Sequence, residues 1–165
     1  MLFRSRLYSG TTEWLPYDKL LLAPGAIPLR PALPGIDDPR IHTLRSLVDM
    51  DRLKSAAAGV RHVTVIGAGF IGLEMTEQFV RLGRQVSLVE LLDQVLPPLD
   101  RPMTALLADE LLQHGVDLHL GDGISGFETG DGGLSCRLAF GRRIATDLVV
   151  LAIGVRPETN LARAA

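Results

Sequence analysis

The sequence predicts an α/β domain: a parallel sheet with helices on both faces, in which a β-hairpin or meander replaces one crossover helix. Three observations carry this. Residues 62–90 read as strand, glycine-rich turn, helix and strand. VDLHLG (116–121) reads as a further strand, and the apolar run DLVVLAIG (147–154) has the composition of a central parallel strand. Between them, ISGFETGDGGLSCRLAF alternates apolar and polar residues around TGDGG, the signature of an antiparallel hairpin.

Composition sets outer bounds. The 165 residues suffice for one domain with a real core, and 47% hydrophobic with 22% charged residues is ordinary for a soluble globular chain. A net charge of −2 provides no basic field for nucleic acid. No apolar run approaches the roughly 20 residues that span a bilayer, and the start lacks a signal-peptide pattern. The lone Cys136 has no internal disulfide partner, which fits a cytoplasmic location.

Taken in order, the elements follow from local chemistry. Residues 2–8 and 18–23 are strand-like runs around a turn signal at Ser9-Gly10. IPLRPALPGIDDPR (27–40) carries four prolines, which fix their own φ and disfavour helix before them, so it reads as an extended linker. Ser46 caps a helix of about three turns, with Asp49 in the capping-box position and Gly59 near its end. Residues 62–66 form a buried strand. Helix 70–82 places Ile71, Met75, Phe79 and Leu82 on one face, and Gly83 ends it. Strand 85–90, a loop to the N-cap Asp100, helix 101–114 and strand 116–121 follow.

VTVIGAGFIGLE (63–74) concentrates the chemistry. It follows a strand and opens a helix within a β-α-β unit, the setting in which GxGxxG cradles a dinucleotide pyrophosphate in a Rossmann-like fold. Gly67 permits the tight turn, Gly69 lets backbone approach the anion, and Gly72 lets the helix pack closely. The helix N-terminus then offers free N–H groups and positive dipole charge. Glu90, eighteen residues after Gly72, stands where a carboxylate hydrogen-bonds the adenosine ribose. A carboxylate there repels a 2′-phosphate, and no Arg follows in LLDQVLPPLD, so NADH is expected over NADPH.

Together, VTVIGAGFIGLE, the upstream YDKLLLAPGA and the downstream ATDLVVLAIGVRPET resemble the flavin-dependent pyridine nucleotide–disulfide oxidoreductases. The likeness is strongest to the branch of NADH oxidases, NADH peroxidases and coenzyme A disulfide reductases, and it covers nearly the whole chain. In that family a first fingerprint holds FAD and a second, inserted one holds NAD(P)H. The resemblance implies that VIGAGFIG is the second, binding NAD(H). It implies that residues 1–26 are a strand pair from the edge of an FAD domain, 27–44 a linker, and 45–165 an excised NADH-binding domain. FAD and the dimerisation domain would then belong to the parent protein. Strands 2–8 and 18–23 are expected to pair with each other and to bury their apolar side, LLLAPGA included, against the NADH domain or a second copy of the chain.

The same resemblance implies residue roles. Cofactor-binding residues would be Gly67, Gly69, Phe70, Ile71, Gly72, Glu74, Glu90 and Gly154. Phe70 would lie against the flavin and move aside as nicotinamide enters, and Glu74 would be a carboxylate near the nicotinamide end. The turn at Gly154 would pass close to the nucleotide. Ala-Pro-Gly at 23–25 departs from the family's more usual Ala-Thr-Gly. Cys136 does not match the family's redox cysteine. The four histidines lack metal-ligand spacing, and no Ser/His/Asp set supports hydrolysis. The implied activity is that of an NADH-dependent flavoprotein oxidoreductase reducing a disulfide, peroxide or oxygen, with this chain alone inactive. A non-enzymatic NADH-binding redox sensor is the alternative.

Overall fold

The computed structural model describes residues 2–6, 12–130 and 133–164. The chain divides into two compact units, Met1–Ala26 with Pro157–Ala165, and Ile27–Arg156.

In the first unit β1 (Leu2–Arg6) pairs antiparallel with β2 (Thr12–Pro16), with Leu2 opposite Pro16 and Arg6 opposite Thr12. This corrects the expected pairing of 2–8 with 18–23. Residues 17–25 form no strand, and Leu21 is 89% exposed. The nearer partner wins because closing a short connection costs less chain entropy than closing a longer one. Pro16 then ends the ladder, having no N–H to donate. The turn signal at Ser9-Gly10 lies outside the described residues. A short ribbon, β3 (Ala26–Pro28) beside β12 (Val155–Pro157), lies where the chain passes between units, and a one-turn α4 (Asn160–Ala164) follows.

The second unit is built on five parallel strands. In space they run β4 (Ile41–Thr43), β11 (Leu148–Leu151), β5 (His62–Ile66), β6 (Gln85–Glu90) and β7 (Asp117–Leu120). The helices are α1 (Leu47–Ala56), α2 (Phe70–Arg81) and α3 (Arg101–Gln113). An antiparallel meander of β8 (Ile124–Gly130), β9 (Gly133–Leu138) and β10 (Arg143–Thr146) precedes β11. Residues 131–132 of the TGDGG turn lie outside the described residues.

Strand periodicity sorts the core into two layers. Val63 and Val65 of β5, Val86 and Leu88 of β6, and Leu148 and Val150 of β11 pack with Leu53, Met75 and Phe79, with Leu111 alongside. Their neighbours Ile66, Val89, Val149 and Leu151 point the other way, onto Phe127, Leu134, Cys136, Leu138 and Ile144 of the meander. The helices therefore do not divide between the faces: α1, α2 and α3 share one, and the meander covers the other. A twisted antiparallel sheet buries that face as well as a helix would.

Two local readings shift. On α2 the buried positions are Gly72, Met75, Thr76 and Phe79, while Ile71 and Leu82 are exposed. The buried stripe is centred on Gly72, Thr76 and Phe79, and Ile71 at its margin lines a cleft instead. In the proline-rich segment, Ile41 is buried and β4 pairs with β11, so residues 41–43 are an edge strand rather than linker. The capping box at Ser46 and Asp49 is formed. Asp100 caps α3 by position without a side-chain hydrogen bond. His114 donates from Nδ1 to the Glu110 carbonyl at 3.0 Å. No helix among the described residues is long and apolar enough to cross a membrane.

Asp38 ties the proline-rich segment to the meander. Its carboxylate accepts from the Arg40 backbone and guanidinium at 2.7–2.9 Å and from Thr129 Oγ1 at 2.7 Å. The Arg40 hydrogen bonds hold its pKa far below the usual carboxylate value near 3.8. A depressed folded-state pKa means the stabilisation is full above the unfolded value and is lost as pH falls toward the folded one. Asp38→Asn should therefore lower stability by about 1–3 kcal/mol at neutral pH and flatten the loss below about pH 4. Urea unfolding of both proteins between pH 2 and 7 measures this.

Candidate functional site

The site grows from the point where the sheet reverses its order. Leaving β5 the chain goes to β6 on one side, and it returns as β11 on the other. In open α/β sheets, the crevice at the carboxyl ends of such strands is where ligands bind.

Gly67 makes the turn at φ +102°. Its N–H donates to the Val89 carbonyl at 2.7 Å, and a Cβ there would lie 2.4 Å from the Ala152 carbonyl oxygen. Only glycine meets both demands. Gly72 is just as constrained, since a Cβ would stand 1.8 Å from the Gly67 oxygen. Gly69 differs: a Cβ there meets nothing within 4 Å. It caps α2 without a side chain, leaving the N–H groups of the first turn open toward the crevice. The glycine pattern thus has two structural members and one whose bareness faces empty space.

The crevice is a cleft of about 680 Å³. Gly67, Gly69, Phe70, Ile71, Glu90 and Gly154 all line it. Phe70 is 65% exposed, so its ring belongs to the cleft surface rather than the core. Gly154, at φ +107°, accepts from Leu29 N–H at 2.9 Å. Gly72 lies buried behind the turn. Glu74 is not brought in: it is exposed one turn along α2, beside the groove shared with Lys54 and Gln78 of α1 and α2.

Glu90 is the one ionisable side chain among the described residues lining the cleft. It is 9% exposed; Oε2 accepts from Ala68 N–H at 2.7 Å and Oε1 from Leu92 N–H at 2.9 Å. Each oxygen keeps a lone pair for another donor. With no Lys or Arg among the described residues lining it, this end of the cleft suits a pair of hydroxyls and disfavours a further anion.

Sequence reasoning missed the apolar wall formed by Leu91, Leu92, Pro97, Gly123 and Ile124. Leu91 and Leu92 directly follow Glu90, and their place after a strand end was an available signal. Gly123 and Ile124 carried none, because only the β7–β8 connection folds them back. Cys136 lies fully buried in the meander core, where desolvation pushes its thiol pKa up to about 12. It should resist alkylating reagents in the folded protein at pH 8 and label only on unfolding, as mass spectrometry with and without denaturant would read.

Comparison with known proteins gives a consistent picture. The family model for pyridine nucleotide-disulphide oxidoreductase matches residues 3–165. NADH oxidase of Enterococcus faecalis is 36% identical over 157 residues, covering 94% of this chain and 35% of the relative. The reduced CoADR-RHD protein of Bacillus anthracis superimposes with a TM-score of 0.87 at 42% identity, covering 94% of this chain and 28% of that one. Water-forming NADH oxidase of Lactobacillus brevis, solved with NADH, gives 0.87 at 32% identity, covering 94% and 34%. The chain spans about a third of the length of these relatives. An engineered form of the Lactobacillus protein is an NADPH oxidase bound to NADPH. Its substitutions are a glycine to alanine, an aspartate to alanine eighteen residues later, then alanine to arginine, methionine to serine and proline to arginine one, two and seven residues beyond that.

Proposed function

The chain belongs to the pyridine nucleotide-disulphide oxidoreductase family, and on that premise we propose that it is the NADH-binding part of a flavin-dependent oxidoreductase. The observation that carries the proposal is Glu90, anchored at the end of β6 in the same cleft as the bare helix start at Gly69. The distance between a pyrophosphate and a ribose in a dinucleotide is bridged by two such features on adjacent strands.

The residues fit that ligand. Gly69 and the first turn of α2 present N–H donors to a pyrophosphate. Glu90 accepts from the 2′- and 3′-hydroxyls of the adenosine ribose. Leu91, Leu92 and Pro97 offer an apolar surface for the adenine ring. Phe70 and Gly154 border the remaining length of the cleft, with Phe70 the side chain that would lie against a flavin and move aside as nicotinamide enters. This chain would hold NADH in position, with water excluded, for hydride donation to a flavin, whose two electrons would then reduce a disulfide, peroxide or oxygen. Glu74 has no contact with the cleft, and its role at the nicotinamide end rests on the family resemblance alone.

Calorimetric titration of this chain tests the proposal. NADH should bind with a dissociation constant at least tenfold below that of NADPH, and added FAD and oxygen should produce no NADH oxidation. Tighter NADPH binding would overturn the cofactor assignment. Turnover by this chain would overturn the assignment of the chemistry to a larger protein.

A further inference from the structure

Leu96 is the one described non-glycine residue with positive φ, at +46°. A left-handed backbone disfavours an L-residue with a Cβ, and a branched side chain such as leucine is an unusual occupant. Something must hold it there, and two features do. Its side chain is buried at 6% exposure beside Val95, which is fully buried. Its N–H donates to the Ala68 carbonyl at 2.8 Å.

The second contact is the informative one. Ala68 lies between Gly67 and Gly69 in the phosphate turn and is itself fully buried. Its N–H donates to Glu90 and its carbonyl accepts from Leu96, so the two peptide groups of one residue are clamped by the last residue of β6 and by the loop that follows it. That segment is braced further. Gln94 donates from its amide to the Leu99 carbonyl at 2.9 Å, and Leu99 N–H donates to the Leu96 carbonyl at 3.0 Å. Pro97, part of the apolar wall of the cleft, is the residue next to Leu96.

We propose that Leu96 is a positioning residue: its left-handed backbone, held by a buried side chain and by Ala68, locks loop 91–99 to the phosphate turn. The adenosine half of the cleft is thereby formed before the ligand arrives. Binding then spends none of its free energy on ordering that loop. The inference rests on the NADH reading of the cleft and adds a residue that touches no part of the ligand.

The test separates side chain from backbone. Leu96→Ala removes the anchor but keeps the left-handed penalty, so the loop should leave its place. Leu96→Gly removes both, so the loop should stay. Affinities of this chain for ADP-ribose, which fills the pyrophosphate and adenosine ends, are compared with those for reduced nicotinamide mononucleotide, which does not reach adenosine. Leu96→Ala should weaken ADP-ribose about fivefold or more, the equivalent of the left-handed penalty in an equilibrium constant. Leu96→Gly should recover to within about twofold of the unmodified chain. Neither should change affinity for the mononucleotide. Equal ADP-ribose affinities for the Ala and Gly variants, or a parallel loss for both ligands, would overturn the proposal. Should the unmodified chain bind no ADP-ribose at all, the NADH reading itself fails, a result distinct from either. Melting temperatures of both variants report any general loss of fold, which would reduce both ligands together.

Discussion

Gly67→Ala is expected to destabilise the second unit by about 3 kcal/mol and to remove measurable NADH binding. Two costs combine: a side chain at φ +102° and a Cβ placed 2.4 Å from the Ala152 carbonyl oxygen. The first is worth about 1–3 kcal/mol and the second, relieved by local movement, about 1–3 kcal/mol more. The Ala152 oxygen is backbone at the end of β11 and has no rotamer by which to withdraw. Movement there would also disturb the 2.7 Å hydrogen bond from Ala152 N–H to Ile66, which joins β11 to β5. Gly69→Ala supplies the contrast. Its Cβ meets nothing within 4 Å, so stability should stay within about 0.5 kcal/mol. Its methyl, however, occupies the surface an incoming pyrophosphate would use, and NADH affinity should fall at least tenfold. Urea unfolding and calorimetry on the pair therefore separate the turn's structural glycine from its ligand-facing one. Equal effects of the two variants on stability would refute this division.

The second large effect concerns choice of cofactor. When the substituted glycine and aspartate of the engineered NADPH oxidase are set on Gly72 and Glu90, which have the same spacing, its other changes fall on Leu91, Leu92 and Pro97. All three line the cleft beside Glu90. Glu90→Ala with Leu91→Arg, Leu92→Ser and Pro97→Arg should reverse preference, raising the NADPH-to-NADH affinity ratio by roughly 100-fold or more. Removing the carboxylate ends repulsion of the 2′-phosphate, and two guanidinium groups add charge-assisted hydrogen bonds to it. Glu90→Ala alone should behave differently. It strands the Ala68 and Leu92 N–H groups, costing about 1–3 kcal/mol for a buried donor. It should weaken NADH without creating tight NADPH binding. Competition titrations on the single and fourfold variants decide the matter; a single variant that prefers NADPH strongly would contradict the structural role given to Glu90. Gly72 is left unchanged in this design, because a Cβ there would stand 1.8 Å from the Gly67 oxygen and would force α2 to move.

Much of this was legible before any coordinates. The strand at 62–66, the glycine turn, the helix from Phe70 and the strand ending at Glu90 follow from apolar period, φ requirements and caps that act within a few residues. The parallel sheet and the hairpin after residue 123 were also visible, because alternation and turn composition are local signals. Signals fail where a choice depends on distant chain. Strand 12–16 rather than 18–23 was taken by β1 through pairing that the runs' composition did not rank. The exposure of Ile71 and Leu82 depended on which face of α2 the sheet buries.

What the amino-acid order determined alone is the cradle and its carboxylate. Gly67 and Gly72 are set by the lack of room for a Cβ, Gly69 by its place at the start of α2, and Glu90 by its place at a strand end. What only tertiary structure decided is how these parts are joined. The meander on one face and the helices on the other, the apolar wall that joins Leu91, Leu92 and Pro97 to Gly123 and Ile124, and the clamp of Ala68 between Glu90 and Leu96 all require segments far apart in sequence to meet. Such meetings depend on packing and on the pairing of buried peptide groups, and a peptide N–H or carbonyl looks the same at every position in a sequence. Leu96 shows the difference most plainly: nothing about a leucine in VLPPLD announces a left-handed turn, and only its burial and the Ala68 carbonyl hold it in one.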